Sequence, residues 1–195
     1  GSAQSEWLQD ASQIEREIRL GLLERDNQRL RKMLSLQNSS KMERISAAVI
    51  SRRHQGWWQQ LELSKGAVNG IGMGDVVIGP GGLLGSIQSV TPTTSRVRLL
   101  TSPGSKVGVW IARTKRHGIL LGMATNRPNL TFFDKDSKAL PGDVISTSPA
   151  STLMPPNIPV GVVQVVNNRA LPAPNATVQL IASPEAIDWV QIQKL

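Results

Sequence analysis

The chain opens on a stretch whose apolar residues return every three or four positions, the spacing of one helical face. From Glu6 to Gln37 there is no Pro, Gly21 is the one glycine, and strong helix formers dominate. Leu23, Asn27, Leu30, Leu34 and Gln37 alternate spacings of four and three, the seam of a short coiled coil. Trp7, Ala11, Ile14 and Ile18 keep the rhythm upstream in another register, so a stutter or local bend is expected near Gly21. At 1.5 Å per residue the helix would run roughly 45 Å. Its apolar stripe has two possible covers, a second copy or the chain's own β-structure. An Asn at a seam position, which often sets register, favours self-association through Leu23, Asn27, Leu30 and Leu34.

After Asn38-Ser39-Ser40 the pattern changes. Short β-branched runs separated by Gly and Pro follow, among them Val76-Val77-Ile78, Val107 to Ile111, Val160 to Val166 and Thr177 to Ile181. Such spacing predicts a mainly β protein of sandwiches or barrels. A weak repeat lies within it. Gly74-Asp75 leads to Gly85, and Gly142-Asp143 leads to Gly161. Gly-Asp suits the tight turn entering a strand, and the second Gly suits a bend or a close approach to a neighbouring strand. Two such units predict two small six-stranded-type barrels behind an N-terminal coiled-coil α-helix. The expected division is a helix at 5–38, a first barrel at 45–105 with room for C-terminal strands, and a second at 106–195.

Composition narrows the chemistry. A hydrophobic fraction of 39% supports a buried core, and 17 Gly with 12 Pro fit strands and turns. No apolar run is long enough to span a bilayer. Gly1-Ser2 reads as the remnant of a tag cleavage, so the missing anchor or signal says nothing about location. Without Cys there are no disulfides or thiolate sites, and two His residues without HExxH spacing make no ordinary metal centre. No cofactor is expected.

The net charge of +8 is unevenly placed. Glu6 to Lys32 balances six acids against six bases, whereas Val76 to Phe133 holds no acid at all. That stretch carries Arg96, Arg98, Lys106, Arg113, Lys115, Arg116 and Arg127. It reads either as a solvated face or as a surface for an anionic partner such as lipid headgroups, cell-wall precursors or an acidic protein. Arg113, Lys115 and Arg116 are its densest cluster.

Catalytic patterns fail one by one. There is no Gly-x-Ser-x-Gly elbow, no Ser-x-x-Lys pair and no Walker loop. A chymotrypsin-like order would allow His54, Asp75 and Ser148, yet nothing near Ser148 offers the Gly-rich amides of an oxyanion hole. Nucleic acid is not expected as a partner, because aromatics are 4% and Tyr is absent. Trp57, Trp58 and Trp189 read as core or interface anchors.

Taken in order, several segments carry a family resemblance. These are Leu22 to Leu34, Leu61-Glu62-Leu63-Ser64-Lys65-Gly66, Gly81-Gly82-Leu83-Leu84-Gly85 and Thr94 to Thr101. The last are Gly142 to Ser148 and Pro155-Pro156-Asn157-Ile158-Pro159-Val160-Gly161. Together they resemble the MreC proteins of bacterial rod shape. Pro149 and Asn157 stand where the family carries Gly, and Met154 where it carries Phe. Asn accepts positive φ, while Pro149 withdraws an amide donor from its loop.

The resemblance implies a membrane-anchored extracytoplasmic scaffold with a coiled coil and two barrels, in the periplasm of bacteria that have one. It implies self-association and partners in MreB, MreD and penicillin-binding protein 2. A transport adaptor and a degenerate chymotrypsin-like hydrolase are the rival readings. A single helix ahead of all the strands argues against the adaptor, whose helices come as a hairpin.

Overall fold

The structure, a computed structural model, describes residues 1–38, 44–55 and 58–195, without the side chains of 31–38, 53–55 and 58–59. The chain divides into two compact units, residues 1–42 and 43–195. The first contains α1 (Ser2–Asn38), one continuous α-helix that runs through Gly21. Trp7, Ile14, Ile18, Leu23 and Leu30 are all exposed along it. Surface pairs of Arg19 with Glu15 and Arg29 with Asp26 lie one turn apart.

The second unit is strand and turn apart from one short 3-10 helix, Ala67–Asn69. Its strands are β1 (Arg44–Gln55), β2 (Trp58–Leu63), β3 (Val76–Gly79), β4 (Gly82–Val90), β5 (Ser95–Leu99) and β6 (Lys106–Ile111). They continue as β7 (Arg116–Leu121), β8 (Asn129–Phe132), β9 (Val144–Thr147), β10 (Pro159–Asn167), β11 (Asn175–Leu180) and β12 (Trp189–Gln193). Two closed six-stranded barrels result, with circular orders β1-β12-β3-β4-β5-β2 and β10-β11-β8-β7-β6-β9. All pairings are antiparallel, so alternate residues face inward. In β5, Ser95, Val97 and Leu99 are buried while Arg96 and Arg98 face out.

The first barrel is closed by β12 from the far end of the chain. Arg44 pairs with Gln193, and Val76 pairs with Gln193 on the other side. β12 lies within the expected 106–195 range yet joins the first barrel, whose expected division left room for C-terminal strands, and there Val190 and Ile192 are buried.

Leu61, Leu63, Val77, Val97, Leu99 and Ile192 fill the first barrel. Val109, Leu120, Leu130, Phe132, Ile145 and Val178 fill the second, each fully buried aliphatic contributing about 1.5–3 kcal/mol. Val76, Leu83 and Leu100 belong to the second cluster although they lie before its first strand, so the barrels share apolar core. Close backbone approach completes the joint. A Cβ on Gly82 would stand 2.5 Å from the Pro159 carbonyl oxygen, and one on Gly122 would stand 1.9 Å from that of Ser102.

The repeat seen in the sequence has a common geometry. Gly74 and Gly142 both take positive φ, at 86° and 95°. The Gly74 amide donates to Ile87 O and the Ile87 amide to Asp75 O. Gly142, Val163 and Asp143 repeat the same two bonds. Each aspartate also accepts from the backbone amide three residues earlier, Asp75 from Gly72 and Asp143 from Leu140, both at 2.8 Å.

Candidate partner-binding surfaces

The β6–β7 hairpin presents the basic cluster. Its turn is tightened by the Lys115 amide donating to Ile111 O, with Lys115 at φ 57°. Arg113 forks onto Asp143, Nε to Oδ1 at 2.8 Å and Nη2 to Oδ2 at 2.7 Å, and Nη2 also reaches Lys138 O. The Arg113 guanidinium, through these hydrogen bonds first, holds the Asp143 carboxyl below its ordinary range. Arg116 reaches Asp134 at 3.1 Å. The counter-charges of the acid-free stretch thus come from just beyond its end. Lys115 is exposed and makes no ion pair among the described residues. Arg113 and Arg116 therefore hold loops together, and Lys115 carries the cluster's available charge.

Below this hairpin the second barrel opens a mostly apolar groove of about 570 Å³. Its walls include Val107 of β6, Ile119 of β7, Phe133 just after β8 and Leu153 in the loop after β9. Phe133 and Leu153 are 66% and 72% exposed, too much for core residues. At one side His117 Nδ1 lies 2.8 Å from Ser148 Oγ. The Ala150 amide donates to that same oxygen. Trp110 stacks on His117, centroids 5.4 Å apart at 27°, and its Nε1 donates to Asn157 Oδ1 at 3.2 Å.

The two departures at this site fit their geometry. Asn157 sits at φ 60°, as an Asn permits. Pro149 follows Ser148 in a turn closed by the Ser151 amide on Ser148 O, where position i+1 needs no donor and favours Pro.

The groove supports binding better than reaction. The imidazole beside Ser148 is His117, while Asp75 lies at a first-barrel turn bonded to Gly72. The side chain of His54 and all of Trp57 lie outside the described residues. Among the described residues no carboxylate bonds His117, and no three His, Asp or Glu side chains converge on one point. The serine–imidazole pair ties β7 to the loop after β9, and the wall beside it is mostly apolar.

Sequence reasoning missed Phe133 and Leu153. A signal for Phe133 existed: in Phe132-Phe133 adjacent strand residues must face opposite ways, so one aromatic points outward. On the helix, Leu23 and Leu30 are exposed on either side of Asn27, and the Leu34 side chain lies outside the described residues.

A family model described as "Rod shape-determining protein MreC, barrel core" matches residues 49–194. The chain belongs to the MreC family. A cell shape-determining protein MreC of Cereibacter sphaeroides is 32% identical over 76% of this chain and 50% of its own length. The chain spans about half the length of the curated MreC relatives it matches first. Among solved structures, the major periplasmic domain of the cell shape-determining filament MreC superposes with TM-score 0.70. It is 26% identical, over 79% of this chain and 96% of that one. The MreC in a complex with penicillin-binding protein PBP2 from Helicobacter pylori has TM-score 0.61 at 12% identity, over 80% of this chain and all of that one. That last likeness concerns the fold alone.

Proposed function

We propose that this chain is the extracytoplasmic part of a non-catalytic scaffold for cell elongation. It maintains rod shape by linking the cytoskeletal MreB and the membrane protein MreD to lateral peptidoglycan synthesis, with penicillin-binding protein 2 as a direct partner. Family membership across the barrel core supports the role, and the PBP2 complex of a structural neighbour supports the partner. No described helix is long and apolar enough to cross a membrane, so a single-pass anchor in the inner membrane would lie outside these residues. Self-association through Leu23, Asn27, Leu30 and Leu34 is supported by the exposure of Leu23 and Leu30, since an uncovered apolar stripe on a helix calls for a partner.

The observation that carries the reading is the apolar groove beside Phe133 and Leu153. Large exposed apolar side chains bordering a groove are what an interface anchor pocket requires. The groove would take an apolar segment of penicillin-binding protein 2. The test is surface plasmon resonance of the intact anchored protein carrying Phe133→Ser and Leu153→Ser against penicillin-binding protein 2. Affinity should fall at least about tenfold, or 1.4 kcal/mol, with the melting temperature nearly unchanged. Unchanged affinity would move the contact off this groove.

A further inference from the structure

The seven cations of the acid-free stretch have different fates. Arg113 and Arg116 are held by Asp143 and Asp134, and Arg127 donates to Gln164. Arg96 sits across the β2–β5 pair from Glu62. Lys115 stands alone at a hairpin tip. That leaves Arg98 and Lys106, both exposed and both without an ion pair or hydrogen-bond partner among the described residues. They line the same cleft, of about 280 Å³, where the two barrels meet.

We propose that this cleft is a binding site for a small phosphate-type oxyanion, a phosphomonoester or a diphosphate. Arg98 comes from β5 of the first barrel and Lys106 opens β6 of the second. Ser86 and Ser105 also line the cleft, and neither hydroxyl has a protein partner among the described residues. No carboxylate lines it. Two cations sharing a cleft without a counter-charge repel each other, and a dianion removes that cost. A guanidinium offers a planar fork to phosphate oxygens, an ammonium a point charge, and hydroxyls fill the remaining acceptor sites.

The bare backbone of Gly85 forms part of the wall, and it must be glycine. A Cβ there would stand 2.0 Å from the Arg98 carbonyl oxygen. The volume lies near the lower end of small-molecule sites, roughly 300–1,000 Å³, and suits a headgroup-sized ligand rather than a polymer. Because its charges come from both barrels, the ligand would also clamp their relative position.

Isothermal titration of the full chain with inorganic pyrophosphate tests the site, in parallel with vesicles of phosphatidylglycerol and of phosphatidylcholine. Saturable binding of one pyrophosphate per chain is expected, weakened at least about tenfold in both Arg98→Gln and Lys106→Gln and unchanged in Lys115→Gln. Both cleft residues are exposed, so the melting temperatures of the variants should match the parent and separate lost binding from lost folding. Pyrophosphate binding without vesicle binding assigns a soluble ligand. Added binding to phosphatidylglycerol but not phosphatidylcholine vesicles, lost in the same two variants, assigns a lipid headgroup. Failure of both probes to bind saturably, or full binding by the Arg98→Gln/Lys106→Gln double variant, overturns the site.

Discussion

The two barrels are built on one frame and differ in how the chain supplies it. Going round the first from β12, the order is β12-β3-β4-β5-β2-β1; going round the second from β6, it is β6-β9-β10-β11-β8-β7. Position by position these correspond, with Gly74-Asp75 before β3 matching Gly142-Asp143 before β9, and Gly85 in β4 matching Gly161 in β10. The strand that opens the second barrel in sequence has its counterpart at the very end of the chain, so the barrels are related as circular permutants. A further difference is electrostatic. Asp143 has gained Arg113, whereas Asp75 keeps only backbone partners. The shared frame is backbone hydrogen bonding and glycine contacts. The apolar groove lies outside this frame, on the second barrel, whereas the cleft between the two takes Gly85 of the frame into its wall.

The sharpest way to break the correspondence is to remove the late strand. Deleting residues 186–195 takes away β12, with Val190 and Ile192 buried between β1 and β3. An opened barrel exposes two sheet edges and its apolar interior. Hydrogen exchange should lose protection across β1 to β5 entirely, while β6 to β11 stay protected but less so. Equal collapse of both barrels would instead make Val76, Leu83 and Leu100 a weld that renders them one cooperative unit.

A milder test compares the matched glycines. A Cβ at Gly85 meets backbone, 2.0 Å from Arg98 O, and the strand pair has to open to admit it. At Gly161 the nearest atoms are Gln179 O at 2.5 Å and the Val178 Cγ1 methyl at 2.6 Å. Gly85→Ala should cost about 3 kcal/mol and Gly161→Ala about 2 kcal/mol, read from denaturant midpoints. The reverse ranking would mean that the first barrel yields more easily than its contacts indicate.

Much of this frame was legible beforehand, because local pattern determines it. The 3.6-residue period marked the helix, the β-branched runs marked strands, and the Gly-Asp pairs marked equivalent turns. What stayed hidden depends on residues far apart in sequence. Nothing local in Trp189–Gln193 says that it pairs with Arg44 to Ala48. The acid-free stretch looked like a uniform cationic face because Asp134 and Asp143 lie outside it, although folding brings them onto Arg116 and Arg113. The His117–Ser148 brace joins residues 31 positions apart with no motif between them. The expected phase slip near Gly21 left no break in the helix, since a glycine weakens a helix without ending it.

The smallest expected difference separates the two aspartates, and it depends on pH. In Asp75→Asn the amide oxygen can still accept from Gly72, so the loss should be slight. In Asp143→Asn the oxygen can keep Leu140 and Arg113 Nη2, but the new NH₂ then faces Arg113 Nε–H, and two donors cannot bond each other. At neutral pH this variant should melt a few degrees lower. Hydrogen bonding from Arg113 lowers the folded pKa of Asp143 below its unfolded value of about 3.9. The carboxylate's stabilisation is therefore complete above that unfolded value and disappears as pH falls through the folded one. Melting curves of parent and Asp143→Asn should be furthest apart at neutral pH and converge in acid. A gap that stays constant down to pH values where the parent carboxyl is protonated would show that Arg113 braces the loop through packing and not through its charge.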